Sequence, residues 1–525
     1  MREYLEFAKE VLKRKRDKRI EELVKEIEKL EDGFVGPKLR ELMVKILELS
    51  ISKPALDLAR YLSVIDGTIV KDVAERVYGK MFQNYLELMD ELICNNVVID
   101  NGKTIIVNKV VKDVLEEDKK EYHEKAIEYY QNLPNSLDNL TELAYHYLKA
   151  GLINDALNTF INTANMINVR HKCIDKLIMV GEKILRHVGE DDKARVVGTI
   201  GNLYMISRKY SEAEDCYKRV LKYYIEKAEK DSSYLKFIAG VLYNLGNLYF
   251  SKGEFSKAEE SYKECLRIRM EQNDEDGMVA VLLALADLYI HYNNYENAEK
   301  CYFDALRIEL KKNRLVNVAS IINNLGYLYK RMGKFDKAEK FYREAIRLYG
   351  KLAKDREDML NNLITALSNL SSLYMSMGKV DNATELLEEI KKYWDIMPID
   401  LKATYYLILA RSLESKNDAK AAEYYLKAGA LGFILFRNYS ITVVNFMHCL
   451  DKAEQLGSEE LRGDATIIKA AILKKYYGVK DFPEVQRFSI RGEAILKAMR
   501  GEEVKIDVKD EIDMVVQVLV NDLKS

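Results

Sequence analysis

Proline and glycine are scarce in this chain, 5 and 25 of 525 residues. So few chain breakers leave little room for turns and favour long helices. Cysteine is scarce too: Cys94, Cys173, Cys216, Cys265, Cys301 and Cys449 are widely spaced with no C-x-x-C. That speaks against a disulfide framework, suggests no zinc site and suits a reducing compartment. No uninterrupted apolar run reaches the roughly 18 residues of a membrane span. The opening residues already carry charge at Arg2, Glu3 and Glu6, so a soluble, cytoplasmic protein is expected, with no membrane partner. An excess of either charge is also missing. With 82 Lys and Arg against 84 Asp and Glu and a formal net charge of -2, no chain-wide field draws nucleic acid.

Catalytic motifs are absent as well. The pair Gly33 and Gly36 runs into Pro37, Lys38 and Leu39, so no GxxxxGK[ST] loop exists to cradle phosphates. His123, His146, His171, His187, His291 and His448 form neither H-E-x-x-H nor an i, i+4 pair, and no G-x-S-x-G elbow occurs. Carboxylates sit among alternating charges, where i, i+4 pairing is their ordinary role. No enzyme, cofactor or metal is therefore expected. The one basic cluster, Lys13, Arg14, Lys15, Arg16, Lys18 and Arg19, lies within residues 1–30, which hold 10 basic and 8 acidic groups. It reads as a solvated helix face.

What is present is a repeat. A chain of this length exceeds one hydrophobic core, which leaves several domains or an elongated array. Small residues recur at Ala144, Gly201, Gly246, Ala286, Gly326, Ser371 and Ala410, each followed three residues on by Tyr147, Tyr204, Tyr249, Tyr289, Tyr329, Tyr374 or Leu413. Twelve residues after each small residue stands an alanine: Ala156, Ala213, Ala258, Ala298, Ala338, Ala383 and Ala422. Four further on comes Phe160, Tyr217, Tyr262, Tyr302, Tyr342, Leu387 or Leu426. A small side chain lets two helices approach and a bulky one fills the space beside it. Gly151, Gly253, Asn293, Gly333, Gly378 and Asn417 fall between the helices, where a left-handed residue is wanted; Arg208 breaks that rule.

The segment Leu245, Gly246, Asn247, Leu248, Tyr249 through Ala258 and Tyr262 resembles the tetratricopeptide repeat, and the resemblance covers roughly residues 137–430. Two departures stand out. Spacing after Gly201 is 39 to 45 residues rather than about 34, and the closing proline is missing. The longer unit resembles the kinesin-light-chain branch, with longer second helices expected to absorb the difference. The resemblance implies an all-α, right-handed α-α superhelix with a concave inner face. The 57-residue gap from Ala144 to Gly201 holds an extra helix-like stretch, Cys173 to Val188.

Residues 51–117 read differently. Helical patterns at Pro54–Val64, Ile69–Tyr78 and Phe82–Asn95 precede short β runs, Val97–Ile99 and Thr104–Val107, around Asp100, Asn101 and Gly102. Three helices and a hairpin resemble the winged-helix module that precedes helical repeats in large signal-transduction ATPases of the apoptosis-regulator type. Where that family places a nucleotide-sensing histidine after the wing, this chain has Asn108, and its ATPase domain has no counterpart here. A separate signalling ATPase is a conceivable partner on that resemblance. Residues 51–120 hold 10 basic and 12 acidic side chains, and the helix before the wing carries Gln83, Asn84, Glu87, Asp90 and Glu91, so phosphate binding is disfavoured.

The expected organisation is thus a charged helical lead at 1–50, a winged-helix-like module at 51–117, repeats at 118–430 and a helical region at 431–525 that caps the stack. The stripe rotated one residue from the packing face runs Gly198, Asn202, Met205; Tyr243, Asn247, Phe250; Leu283, Asp287, Ile290; Asn323, Tyr327, Lys330; and Ser368, Ser372, Met375. Asparagine can pair with the N–H and C=O of an extended peptide whatever its sequence, while aromatic pockets select side chains. Asn202, Tyr243, Asn247, Phe250, Asp287, Ile290, Asn323, Tyr327 and Lys330 are the expected peptide-binding residues of a non-enzymatic scaffold. Two alternatives stay open. Asn202, Asn244, Asn247, Asn324 and Asn369 would only bridge neighbouring helices, or the winged helix would bind DNA while the repeats sense a ligand.

Overall fold

The computed structural model describes residues 2–30, 37–115, 119–167, 171–439, 445–477, 485, 487–500, 502, 504, 506, 508 and 510–524. Gly33 and Gly36 lie outside them. Among the described residues stand 27 α-helices and one three-stranded sheet, an all-α protein. The chain divides into two compact units, Met1–Val220 and Leu221–Ser525.

The first unit begins with α1 (Arg2–Lys15), α2 (Lys18–Glu28), α3 (Pro37–Ser50) and α4 (Lys53–Ser63). Next come β1 (Ile69–Val70), α5 (Lys71–Tyr78), α6 (Tyr85–Cys94), β2 (Val98–Asp100), β3 (Thr104–Val107) and α7 (Lys109–Leu115). The sheet order is β1-β3-β2, all antiparallel, with Ile69 opposite Ile105 and Val98 opposite Val107. Gly102 turns the hairpin at φ +84°, its N–H donating to Asp100 Oδ1 at 2.9 Å. One expectation needs correcting: Ile69 and Val70 are a strand, not the start of a helix, because β3 offers them a ladder that local periodicity cannot reveal. The helical lead shares the core of this unit. Phe7, Ile20 and Leu42 share one core with Leu62, Val77, Leu92 and Tyr129.

The unit continues through α8 (Lys120–Gln131), α9 (Leu137–Lys149), α10 (Ile153–Met166), α11 (Ile174–Ile184), α12 (Glu190–Ile206) and the start of α13 (Tyr210–Ala228). The extra stretch in the 57-residue gap is α11, a helix as expected. Gly181 is set against the Phe160 ring of α10, where a Cβ would come 2.7 Å from Cζ.

The second unit is a stack of hairpins: α14 (Leu235–Lys252) with α15 (Phe255–Glu271), α16 (Glu275–His291) with α17 (Tyr295–Lys311), and α18 (Leu315–Arg331) with α19 (Phe335–Leu352). Then come α20 (Leu360–Ser376) with α21 (Val380–Lys391) and α22 (Ile399–Ser415) with α23 (Ala421–Tyr439). The chain ends in α24 (Phe446–Leu456), α25 (Glu459–Tyr477), α26 (Ile490–Met499) and α27 (Glu511–Lys524). Their Ile468, Ile495 and Val516 join the core of the last hairpins, and α27 packs on α23.

The repeat register has a direct geometric cause. A Cβ on Gly326 would come 2.7 Å from Tyr342 Cδ1, and one on Gly201 would come 2.8 Å from Tyr217 Cε1. Tyr217, Tyr262 and Tyr342, four residues after their register alanines, therefore lie on the small residues Gly201, Gly246 and Gly326 of the first helices. Each hairpin turns through a left-handed residue: Gly151, Gly253, Gly333 and Gly378, then Asn293 and Asn417, and Arg208 at φ 59°. Hairpins are linked as well. Tyr289 OH donates to Glu259 Oε1 at 3.1 Å, Tyr374 OH to Glu339 Oε1 at 2.8 Å, and Tyr329 OH to Glu299. Each joins a register tyrosine to the glutamate beside the preceding hairpin's register alanine. Spacing has a second explanation too. The two 45-residue intervals, Gly201 to Gly246 and Gly326 to Ser371, each contain a 3-10 turn, Ser232–Tyr234 or Glu357–Met359. The 40-residue intervals are filled by two 17-residue helices, so both helices lengthen, not only the second.

Candidate binding face of the repeats

The first helices of neighbouring hairpins touch, α14 with α16, α18 with α20 and α20 with α22, and so form one layer of the second unit. The residue following each small residue lies on the accessible side of that layer: Asn247, Asp287, Tyr327, Ser372 and Arg411. None is buried; Asp287, Tyr327 and Arg411 are exposed.

The tyrosine that covers the small residue reaches beyond it to this row. Tyr262 OH donates to Asn247 Oδ1 at 2.6 Å and Tyr302 OH to Asp287 Oδ1 at 2.9 Å. In the first unit Tyr217 OH donates to Asn202 Oδ1 at 2.7 Å in the same register. A bond of this kind contributes about 0.5–1.5 kcal/mol, more to a charged acceptor. It also fixes direction. With its oxygen held from behind, the Asn247 carboxamide keeps its Nδ2 donors, which meet no described group. Asp287 is desolvated by its surroundings, which pushes its carboxyl up, against the opposing pull of the Tyr302 hydroxyl.

Four residues after each small residue the row differs. Phe250 meets the His291 ring of the next hairpin edge-on with centroids 4.9 Å apart, and lies 5.7 Å from Phe255 of its own hairpin. Ile290 is 5% exposed and belongs to the core. Lys330 is half-buried, and its Nζ donates to Ser372 Oγ at 2.8 Å. Desolvation, with Arg411 adding repulsion, pushes the Lys330 ammonium down to about 8. Neither Lys330 nor Arg411 forms an ion pair among the described residues. The contrast with the turn between α17 and α18 is sharp: there Lys312 and Arg314 both hold Asp276 at 2.6 Å, and Lys311 holds Glu275 at 2.7 Å.

Tyr243 is half-buried beside Tyr262, centroids 6.0 Å apart. Asn323 Oδ1 accepts from Asn369 Nδ2 of the next hairpin at 3.2 Å, the bridging alternative at that position. Tyr327 is 41% exposed, its hydroxyl accepting from Arg331 at 3.3 Å. The structure thus brings Lys330 together with Ser372, and Asn323 with Asn369. Arg411 was missed, although following the register one step past Ala410 finds it.

Models of the tetratricopeptide repeat match residues 199–273, 237–311, 319–351 and 363–391. The hairpins over residues 199–391 are tetratricopeptide repeats, in a long-spaced form, and no catalytic family is indicated. Among solved structures the chain is similar to a signal-transduction ATPase with numerous domains carrying a tetratricopeptide repeat sensor, from Pyrococcus horikoshii. The identity is 16% over 91% of this chain and 69% of that one, with a TM-score of 0.44. It is similar to a tetratricopeptide repeat protein from Parabacteroides merdae at 19% identity, over 61% of this chain and 99% of that one, TM-score 0.37. A Rap protein complexed with competence and sporulation factor matches at 15% identity, over 64% and 93%, TM-score 0.36. No curated protein matches the sequence. Among the described residues no helix is long and apolar enough to cross a membrane.

Proposed function

We propose that the second unit is a non-enzymatic scaffold whose first-helix layer holds an extended segment of a partner protein, with a carboxylate of that segment at Lys330 and Arg411. The observation that carries this reading is the pair of neighbouring cations, half-buried Lys330 and exposed Arg411, neither in an ion pair among the described residues, while Glu414, the carboxylate that Arg411 feels, is held by Tyr425 and Lys452. Leaving a buried cation unpaired costs stability that an anionic ligand restores. Along the same row Asn247 offers amide donors to a peptide carbonyl, Asp287 offers its second oxygen to a peptide N–H, and Tyr327 offers a ring.

The domain division stated above and a cytoplasmic setting belong to this reading. Residues 51–117, with their order helix, strand, helix, helix, hairpin, serve in it as a winged-helix-like structural module. DNA reading is not favoured: α6 presents Glu87, Asp90 and Glu91, and Glu91 is bound by the Ser52 N–H and hydroxyl, both at 2.6 Å.

The test uses labelled short peptides in three pools, acidic, basic and neutral, titrated by fluorescence anisotropy. The acidic pool binds best, and Lys330→Ala with Arg411→Ala weakens it at least tenfold while the circular dichroism spectrum is unchanged. Equal binding of all pools, or a double variant that binds as well as the parent, refutes the reading.

A further inference from the structure

We propose that Asp138, His171 and Cys173 of the first unit form a binding site for one thiophilic divalent transition ion of the zinc class. Asp138 stands in the first turn of α9, Cys173 is the residue before α11, and His171 lies two residues earlier. Their donor atoms all lie within 4.8 Å of one another. His171 Nδ1 is 3.0 Å from Cys173 Sγ and 4.0 Å from Asp138 Oδ1. A tetrahedral ion with bonds of about 2.0–2.3 Å sets its donors roughly 3.3–3.6 Å apart. The two observed separations straddle that range, and sub-ångström side-chain shifts bring both into it.

The chemistry of the donors fits. Thiolate, imidazole and carboxylate are the groups zinc takes, and a thiolate in the set disfavours magnesium and calcium. The neighbours orient the set without filling it. Lys172 Nζ holds Asp138 Oδ2 at 3.0 Å, leaving Oδ1, the oxygen facing His171. The Cys173 N–H approaches His171 Nδ1 at 3.3 Å, a long contact that metal coordination replaces. Cys173 is 6% exposed, so bulk oxidants reach its sulfur poorly.

Three donors leave a fourth position. Asp138 and Cys173 both line a cavity of about 480 Å³ whose wall also carries Tyr130, Glu142 and Lys176. The open position on that side takes water or an oxygen of a small ligand. Binding displaces the Cys173 thiol proton to solvent as the Sγ–metal bond forms.

Cobalt(II) is the probe. The full-length chain, stripped with chelator, is titrated with Co²⁺ alone and followed by absorption. One equivalent per chain produces the thiolate-to-cobalt charge-transfer band and the visible bands of a tetrahedral site, and added Zn²⁺ abolishes both. Cys173→Ser loses the charge-transfer band, and His171→Gln weakens binding at least tenfold. Cys94→Ser, which removes the exposed thiol, keeps the band. Far-ultraviolet dichroism confirms that each variant folds. No band at micromolar cobalt, a band that survives Cys173→Ser, or one lost with Cys94→Ser overturns the proposal.

Discussion

His123 and His146 face each other in the packing of α8 on α9, their Nδ1 atoms 2.8 Å apart. One ring donates and the other accepts, so the pair cannot carry a proton on all four nitrogens. His146 is fully buried, stacked on Tyr130, and its Nε2 has no partner. Burial pushes its pKa well below the ordinary value, with His123, Lys176 and Lys112 adding repulsion and Asp66 opposing them. The folded state therefore takes up the proton less readily than the unfolded one. Its contribution is complete above the unfolded pKa and falls as pH drops below it. With an unfolded value of about 6.5, going from pH 7 to pH 5 costs roughly 2 kcal/mol, a factor of about 25 in the opening equilibrium. Hydrogen exchange of peptides spanning α8 and α9, corrected for the intrinsic rate, reads that factor directly. His146→Phe removes the titrating ring and should flatten the dependence. Protection that is equal at pH 7 and pH 5, or that falls equally in the variant, refutes the reasoning.

Gly326→Ala sets a Cβ 2.7 Å from Tyr342 Cδ1 and should destabilise the repeats by about 1–3 kcal/mol, measured by thermal denaturation. Tyr289→Phe and Glu259→Gln each break the bond between adjacent hairpins, and a double-mutant cycle in denaturant should show the two changes coupled by about 1 kcal/mol rather than additive. Peptide binding should weaken as pH rises through about 8, because Lys330 loses the charge that the ligand needs. Affinities at pH 7 and pH 9.5 check this, and Lys330→Arg, which stays charged, should remove the dependence.

The hairpins were legible because their signal is periodic: one small residue, one tyrosine and one alanine in fixed register, with Gly253 and Asn293 at the turns; Arg208, which broke the pattern, is left-handed all the same. Asn273 and Asn313, left-handed at φ 54° and 53° between hairpins, escaped notice because no repeated companion marks them. β1 escaped because two residues carry no period and its partner lies more than 30 residues away. The candidate site was legible only as a stripe. Helical spacing puts Asn247, Phe250 and Ile290 on one side of their helices, but it does not distinguish a side chain facing solvent from one covered by the next hairpin. Phe250 packs on His291 of α16 and Ile290 is buried; Asp287 and Tyr327 are exposed. Charge pairing is invisible for the same reason, since Lys330 looks like any helix lysine until its surroundings lack a carboxylate.

A single tyrosine position links the packing of these repeats to the groups that their accessible row presents. Tyr262 fills the volume that Gly246 leaves, and its hydroxyl then orients the Asn247 carboxamide on the accessible row. In the next hairpin the Tyr302 hydroxyl holds Asp287 in the same way. The ring belongs to the core and the hydroxyl to the surface, so the two contributions separate chemically. Replacing the phenol by a phenyl ring keeps the packing and frees the amide to rotate, whereas enlarging the glycine displaces the ring and disturbs both. The register that closes each hairpin therefore also determines which hydrogen-bonding groups the row presents, and a change from Asn to Asp, Ser or Arg after the small residue changes those groups without touching the core.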